Sequence, residues 1–379
     1  MEHPLEQISA QEIENAVKLC RSFEGFDENA LFVNISLVEP DKELVRTYKQ
    51  GDECPRSVKI RGIDSHEDGG FVAIVDLKNN TVSSLDRVSE KAQVTYSMAE
   101  VFIATDLTKA DERYQEALKK RGITDMDLVQ IDPWPAGGIV HESIKSGHRA
   151  LKTISFLRED QSDNAYAKPI SGVISHVDLT TQEVTHVEDH GVVEMPKAHA
   201  RYDAGSQTEL RKQPKKIDIT QPDGPGFEVE GNLLSWEGWQ VRVSVSPDEG
   251  PVLHQLSLDG RPILHRVALS DMVVPYGTAD PMHSWKAVHD GTEYGFGTLV
   301  NSLTLGCDCL GEIHYLDANM LMFDGSVNTI ENAICIHEED FGIQWKHTDI
   351  NMLGANEVRR SRRLVISSIA TIGNYDYGL

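Results

Sequence analysis

Phe71-Val72-Ala73-Ile74-Val75-Asp76-Leu77, closed by the Asn79-Asn80 turn and followed by Val82, reads as a β-branched strand entering a hairpin. Its signature recurs. Val75, Asp76, Leu77 and Val82 match Val177, Asp178, Leu179 and Val184 at a constant offset of 102 residues (177 − 75), the mark of an internal repeat. What precedes each copy agrees. Ser9-Ala10-Gln11-Glu12 is a capping-box pattern, with Ile13, Ala16, Val17 and Cys20 following at helical spacing. The strand-like runs Leu31–Ile35 and Ser57–Ile60 come next. Later, helical stretches over 97–107 and 111–120 lead into Ile154–Leu157 and Gly172–Val177. Helix first, then antiparallel sheet, twice over, predicts an α+β fold opening with two small domains at 1–92 and 93–195.

A polar, basic stretch rich in Pro, Gly and Gln ends in Gln221-Pro222-Asp223-Gly224-Pro225-Gly226, which makes 196–226 a linker. Residues 227–379 read as β throughout. Trp239–Val245, Val252–Leu256, Ile313–Leu316 and Ala333–Ile336 are short strands between turn residues, the pattern of part of a large antiparallel β-sandwich. The run 364–372 is expected to be one long apolar strand with partners on both sides.

At 379 residues the chain exceeds one ordinary core of about 100–150 residues. No apolar run approaches the roughly 18 residues that cross a bilayer, so no membrane role is expected. The start Met1–Gln7 lacks a basic and apolar leader; an intracellular protein, cytoplasmic or peroxisomal, is expected. A formal charge of −24 repels phosphate backbones and excludes nucleic acid, while suiting a cationic substrate. Arg359, Arg360, Arg362 and Arg363, with acids nearby, read as a solvated face. Cys307, Cys309, Cys335 and His337 admit a structural metal module, although Cys-x-Cys is tighter than usual zinc spacing. His337-Glu338-Glu339-Asp340-Phe341 is not the His-Glu-x-x-His of zinc proteases.

Five segments in one order carry more. They are Val274-Pro275-Tyr276-Gly277, His289-Asp290-Gly291-Thr292-Glu293-Tyr294-Gly295, Asn301–Gly311 with its Cys307-Asp308-Cys309, then Ile334–Asp340, and finally Asn374-Tyr375-Asp376-Tyr377. Together they resemble the copper-containing primary amine oxidases, whose cofactor topaquinone is made from a tyrosine of the chain. The resemblance implies that Tyr375 is that precursor, Asn374 flanks its ring, and Tyr276 hydrogen-bonds a quinone oxygen. It makes Asp290 the catalytic base and Trp134 and Tyr166 substrate-channel residues, and pairs Cys309 with Cys335 in a disulfide. The base segment departs from the family in exchanging its two middle residues. Val288 stands where a gating aromatic is common, which predicts a wider or differently gated entrance.

In such an enzyme a primary amine condenses with the quinone, which acts as electron sink while a carboxylate removes the adjacent proton. Aldehyde, ammonia and hydrogen peroxide leave, with dioxygen as oxidant. The family's copper ligands, a His-x-His pair and a later His, follow the quinone and are expected beyond residue 379. No metal ligand is assigned within these residues, and the chain alone is expected to be inactive. A homodimer is implied for the complete protein. The alternative is a catalytically inactive family member that acts as a binding or interaction protein.

Overall fold

The computed structural model describes residues 3–64, 70–89, 92–198, 201–351 and 356–379. Met1, Glu2 and positions 90–91 and 199–200 at the edges of the expected segments lie outside the described residues.

Helix α1 (Ala10–Arg21) starts at Ser9 with the capping box in place: Ser9 caps the N–H of Glu12 while the Glu12 carboxylate accepts from the Ser9 N–H. Its Ile13, Ala16, Val17 and Cys20 are buried against an antiparallel sheet. That sheet holds β1 (Leu31–Val38), then after the short α2 (Lys42–Thr47), β2 (Ser57–Ile63), β3 (Phe71–Asp76) and β4 (Thr81–Arg87), paired in sequence order. The arrangement repeats. Helices α3 (Met98–Ala110) and α4 (Glu112–Lys119) precede β5 (Val129–Pro135), β6 (Ala150–Leu157), β7 (Val173–Asp178) and β8 (Glu183–Asp189), again a four-stranded meander.

The matching residues do the same job in both hairpins. Asp76 accepts from the N–H groups of Lys78 and Asn79, and Asp178 from those of Thr180 and Thr181, an Asx turn in each case. Asn80 and Gln182 then take the left-handed conformation at φ 53° and 55°. Val75 faces Val82 and Val177 faces Val184, each beside a bulge. A second shared device was not read from the sequence. The capping-box Glu12 is gripped through two nitrogens by Arg56, just before β2, and the capping-box Glu100 likewise by Arg149, just before β6.

Residues 201–226 are largely exposed, with one short 3-10 turn at Ala204–Ser206. They end on the buried Glu338, which accepts from Gln221, the Gly226 N–H and the Trp236 indole. A five-stranded meander follows: β9 (Phe227–Glu230), β10 (Leu233–Trp236), β11 (Trp239–Ser246), β12 (Gly250–Leu258) and β13 (Arg261–Ala268). β14 (His314–Leu321), β15 (Val327–Thr348) and β16 (Asn356–Ser367) form the facing sheet. Phe227, Leu234, Val241 and Val243 of the first pack on Ile334 and Ile336 of the second. This is sheet-on-sheet packing with alternate residues turned inward. Arg360 and Arg363 of β16 pair with Asp340 and Glu339 of β15, and the Arg359 guanidinium lies over Trp345.

The single strand expected over 364–372 is two. β16 ends at Ser367, and Ser368 exchanges both backbone hydrogen bonds with Leu379 instead of β15. β17 (Ile369–Ile372) then turns over Gly373 (φ 58°) into β18 (Tyr375–Gly378). β18, which pairs with β17 on one side, carries Tyr375. On its other side β17 is flanked by Val300 and Asn301.

Candidate active site

A cavity of about 870 Å³ opens between the β5–β6 face, the segment 274–294 and the β17–β18 hairpin. Trp134, Tyr166, Tyr276, Val288, Asp290, Asn374 and Tyr375 all line it. Positions up to 241 residues apart in sequence (375 − 134) are thus brought to one wall. Alternation along β5 turns Asp132 and Trp134 to one face, opposite Ile154 and Lys152 of β6. Tyr166 reaches the Asp132 carboxylate at 3.4 Å, and Gln130 donates to the same oxygen at 3.1 Å.

The Tyr276 N–H donates to the Lys286 carbonyl at 3.0 Å, closing the intervening loop. Its hydroxyl donates to the Tyr375 hydroxyl at 3.4 Å. Tyr375 itself is 51% exposed, at the hairpin beside Asn374. Val288 is only 5% exposed and presents a small apolar wall. Asp290 is fixed by its N–H to the Met272 carbonyl at 2.8 Å, and its own carbonyl accepts from Phe296. Its carboxyl is pushed up to about 6, chiefly by burial and then by the nearby Asp271, with Glu293 adding; a hydrogen bond with Tyr377 and the nearby His289 oppose the shift. A carboxyl so raised is chemically suited to accept a proton near neutral pH.

Sequence reasoning missed three residues here. Asp271 accepts from the Gly291 N–H and the Thr292 hydroxyl, both at 2.8 Å, so the exchanged pair after Asp290 is tied down. A Cβ at Gly291 would come within 3.0 Å of Asp271 and of the Asp248 carbonyl. Tyr377 places its hydroxyl on Asp290. Lys286 lines the cavity with its ammonium among aromatic rings. A lone Asp or Lys in a polar run has no periodicity to mark it; only for Tyr377, in the same tetrapeptide as Tyr375, was there a signal.

Cys309 and Cys335 are buried free thiols in one small cluster with Leu303, and burial with the nearby Cys309 pushes the Cys335 thiol up. Cys309 Sγ lies 3.3 Å from the Tyr315 hydroxyl, and Cys335 Sγ 3.3 Å from that of Ser367. His337 is taken by Glu339 at 3.2 Å, and His347 stacks on Trp345. Among the described residues no three His, Cys, Asp or Glu side chains are placed to hold a metal, so Cys307, Cys309, Cys335 and His337 do not form the structural metal module that their spacing admits.

Paired α+β units lead to an antiparallel sandwich, and a tyrosine and a half-buried carboxyl line one cavity beside it. Residues 228–379 match the copper amine oxidase enzyme domain, 99–206 its N3 domain and 3–87 its N2 domain. A primary amine oxidase of Arthrobacter sp. (strain P1) is 40% identical over 379 residues, covering 99% of this chain and 58% of that protein. Histamine oxidase of Arthrobacter globiformis is 40% identical over 386 residues, covering 100% of this chain and 55% of that protein. The crystal structure of a copper-containing benzylamine oxidase from Hansenula polymorpha superposes with a TM-score of 0.87 at 25% identity, covering 100% of this chain and 61% of that one. The chain belongs to the copper amine oxidase family and spans between half and two thirds of the length of these relatives.

Proposed function

We propose that this chain is the amine-binding and quinone-bearing part of a primary amine oxidase, which converts a primary amine, dioxygen and water into an aldehyde, ammonia and hydrogen peroxide. One observation carries the reading: Tyr375, Asp290 and Tyr276 converge on one cavity, with the carboxyl raised to about 6 and the two tyrosine hydroxyls 3.4 Å apart. Tyr375 fits a quinone precursor, being half open on the cavity wall with a phenolic donor already aimed at its oxygen. Oxidised to topaquinone, it supplies an electrophilic carbonyl and an electron sink. Asp290 takes the proton from the carbon next to the substrate nitrogen and, once protonated, holds it for the return steps. Tyr276 and Asn374 restrain the ring, Tyr377 and Asp271 hold the base segment, and Trp134 and Tyr166 shape the channel, whose entrance Val288 makes wider or differently gated. Copper does not fit the described residues, among which no ligand set is found. A Cys309–Cys335 disulfide and a homodimer belong to the same proposal.

Peptide mass mapping of the segment around Tyr375 tests it, on protein from its native source and again after aerobic incubation with copper. Oxidised Tyr375 supports the assignment. Unmodified Tyr375 in the natural protein under both conditions refutes it and favours the non-catalytic binding protein.

A further inference from the structure

Lys286 is a charge in the cavity that the reaction leaves unused. The residue is 3% exposed, yet its Nζ stands over ring faces: 4.2 Å from the centroid of Trp134, 5.3 Å from Tyr276 and 5.9 Å from Trp285. Among the described residues no carboxylate lies within ion-pair distance of it and no side chain accepts from it. Asp132 is engaged by Gln130 and Tyr166, and Asp280 accepts from the Met282 N–H at 2.7 Å. Ring faces stabilise the charge but leave its three donors unspent, open to an acceptor that enters the cavity. Tyr276 links this ammonium to the reacting end, because the same residue reaches the Tyr375 hydroxyl. A substrate that presents its amine at Tyr375 and lies along Tyr276 brings its far end to Lys286.

We propose that Lys286 sets the substrate class: the cavity takes primary monoamines whose far end carries a hydrogen-bond acceptor, and disfavours diamines, whose second ammonium meets a like charge. The inference rests on the amine-oxidising reading above. Two unit charges about 5 Å apart at an effective dielectric near 20 repel strongly enough to weaken binding by roughly two orders of magnitude. Burial lowers Lys286 to about 8, with Asp132 and Asp280 opposing, so the charge is present at neutral pH and fades above it. The other titratable groups around it are Tyr276, His283 and, across the Trp285 ring, Lys152.

The test is equilibrium binding by tryptophan fluorescence, on copper-free protein so that no turnover intervenes. The probes are tyramine, 2-phenylethylamine and putrescine. At neutral pH the wild-type protein is expected to prefer tyramine to 2-phenylethylamine by about fivefold and to bind putrescine weakest. Lys286→Met, which keeps the stem and removes the charge, should bring the tyramine preference close to one and tighten putrescine at least tenfold. Lys286→Arg should keep the order. An unchanged order in a Lys286→Met protein of wild-type melting temperature overturns the proposal. Should that variant fail to fold, wild-type protein at pH about 9 gives the same reading, and an undiminished tyramine preference there overturns it equally. Binding in the expected order by a natural protein that never oxidises Tyr375 refutes the proposed function but leaves Lys286 as the determinant.

Discussion

At the scale of single residues the cavity is governed by how its charges shift one another. Asp290 has its carboxyl raised from 3.8 to about 6, so the folded chain binds more protons than the unfolded one between those values. Stability therefore falls as pH rises through that window, and the ionised carboxylate remains a cost at neutral pH. Asp290→Asn should leave the melting temperature at pH 7 unchanged or slightly higher. In the copper-loaded, full-length enzyme it should cut kcat/KM by about 10²–10⁴-fold, measured by peroxide release; activity within threefold of wild type would remove Asp290 as the base. Asp271 supplies a sharper check. Asp271→Asn keeps an acceptor for the Gly291 N–H and presents its amide N–H to the Thr292 hydroxyl, but removes the like charge, so the Asp290 carboxyl should drop and the acid limb of the pH–rate profile move below about 6. An unmoved limb would mean that burial and Glu293 set the value without Asp271. Asp290 was legible through its motif, whereas Asp271, 19 residues earlier (290 − 271), acquires its role only when the chain folds back.

Among the elements, the repeat legible at Val75-Asp76-Leu77 has a physical cause: the aspartate caps a turn that the following left-handed residue completes. The Arg–Glu clamps were not legible, since Ser9–Glu12 and Ser97–Glu100 announce helix starts but say nothing of Arg56 and Arg149, more than 40 residues on. In the second unit both partners are buried, at 5% and 6% side-chain exposure, and Arg149 also lies over the Tyr96 ring at 4.6 Å. In the first they are at 15% and 24%. Removing one partner of a buried pair strands the other, at a cost of about 3–5 kcal/mol. Arg149→Met should therefore destabilise the protein by about that amount in urea unfolding, and Arg56→Met by distinctly less. Equal effects would show that burial is not what separates the two clamps. The break at Ser368 escaped the sequence reading for a different reason. Leu364–Ile372 is uniformly apolar or small, and only the competing backbone pairing with Leu379 ends the strand.

Across the whole molecule, the second α+β unit supplies Trp134 and Tyr166, and the sandwich supplies Tyr276, Val288, Asp290, Asn374 and Tyr375. The cavity is bounded where the β6–β7 face is apolar enough to seat Met282 and Trp285 against Ile154 and Ile174. Composition foretold several packed units and a cation-friendly charge, but not that the site would lie between two of them, because packing between sheets leaves no periodic trace in either. The same organisation separates binding from oxidation. Every residue proposed to handle the amine lies within these 379 positions, while no metal-holding cluster is found among the described ones. A polypeptide confined to residues 1–379 is thus expected to bind amines yet leave Tyr375 a tyrosine after aerobic incubation with copper(II). A longer natural chain should convert it under the same conditions. Quinone staining and mass mapping of the Tyr375 peptide separate the two cases, and oxidation in the 379-residue polypeptide would mean that copper finds ligands among these residues after all.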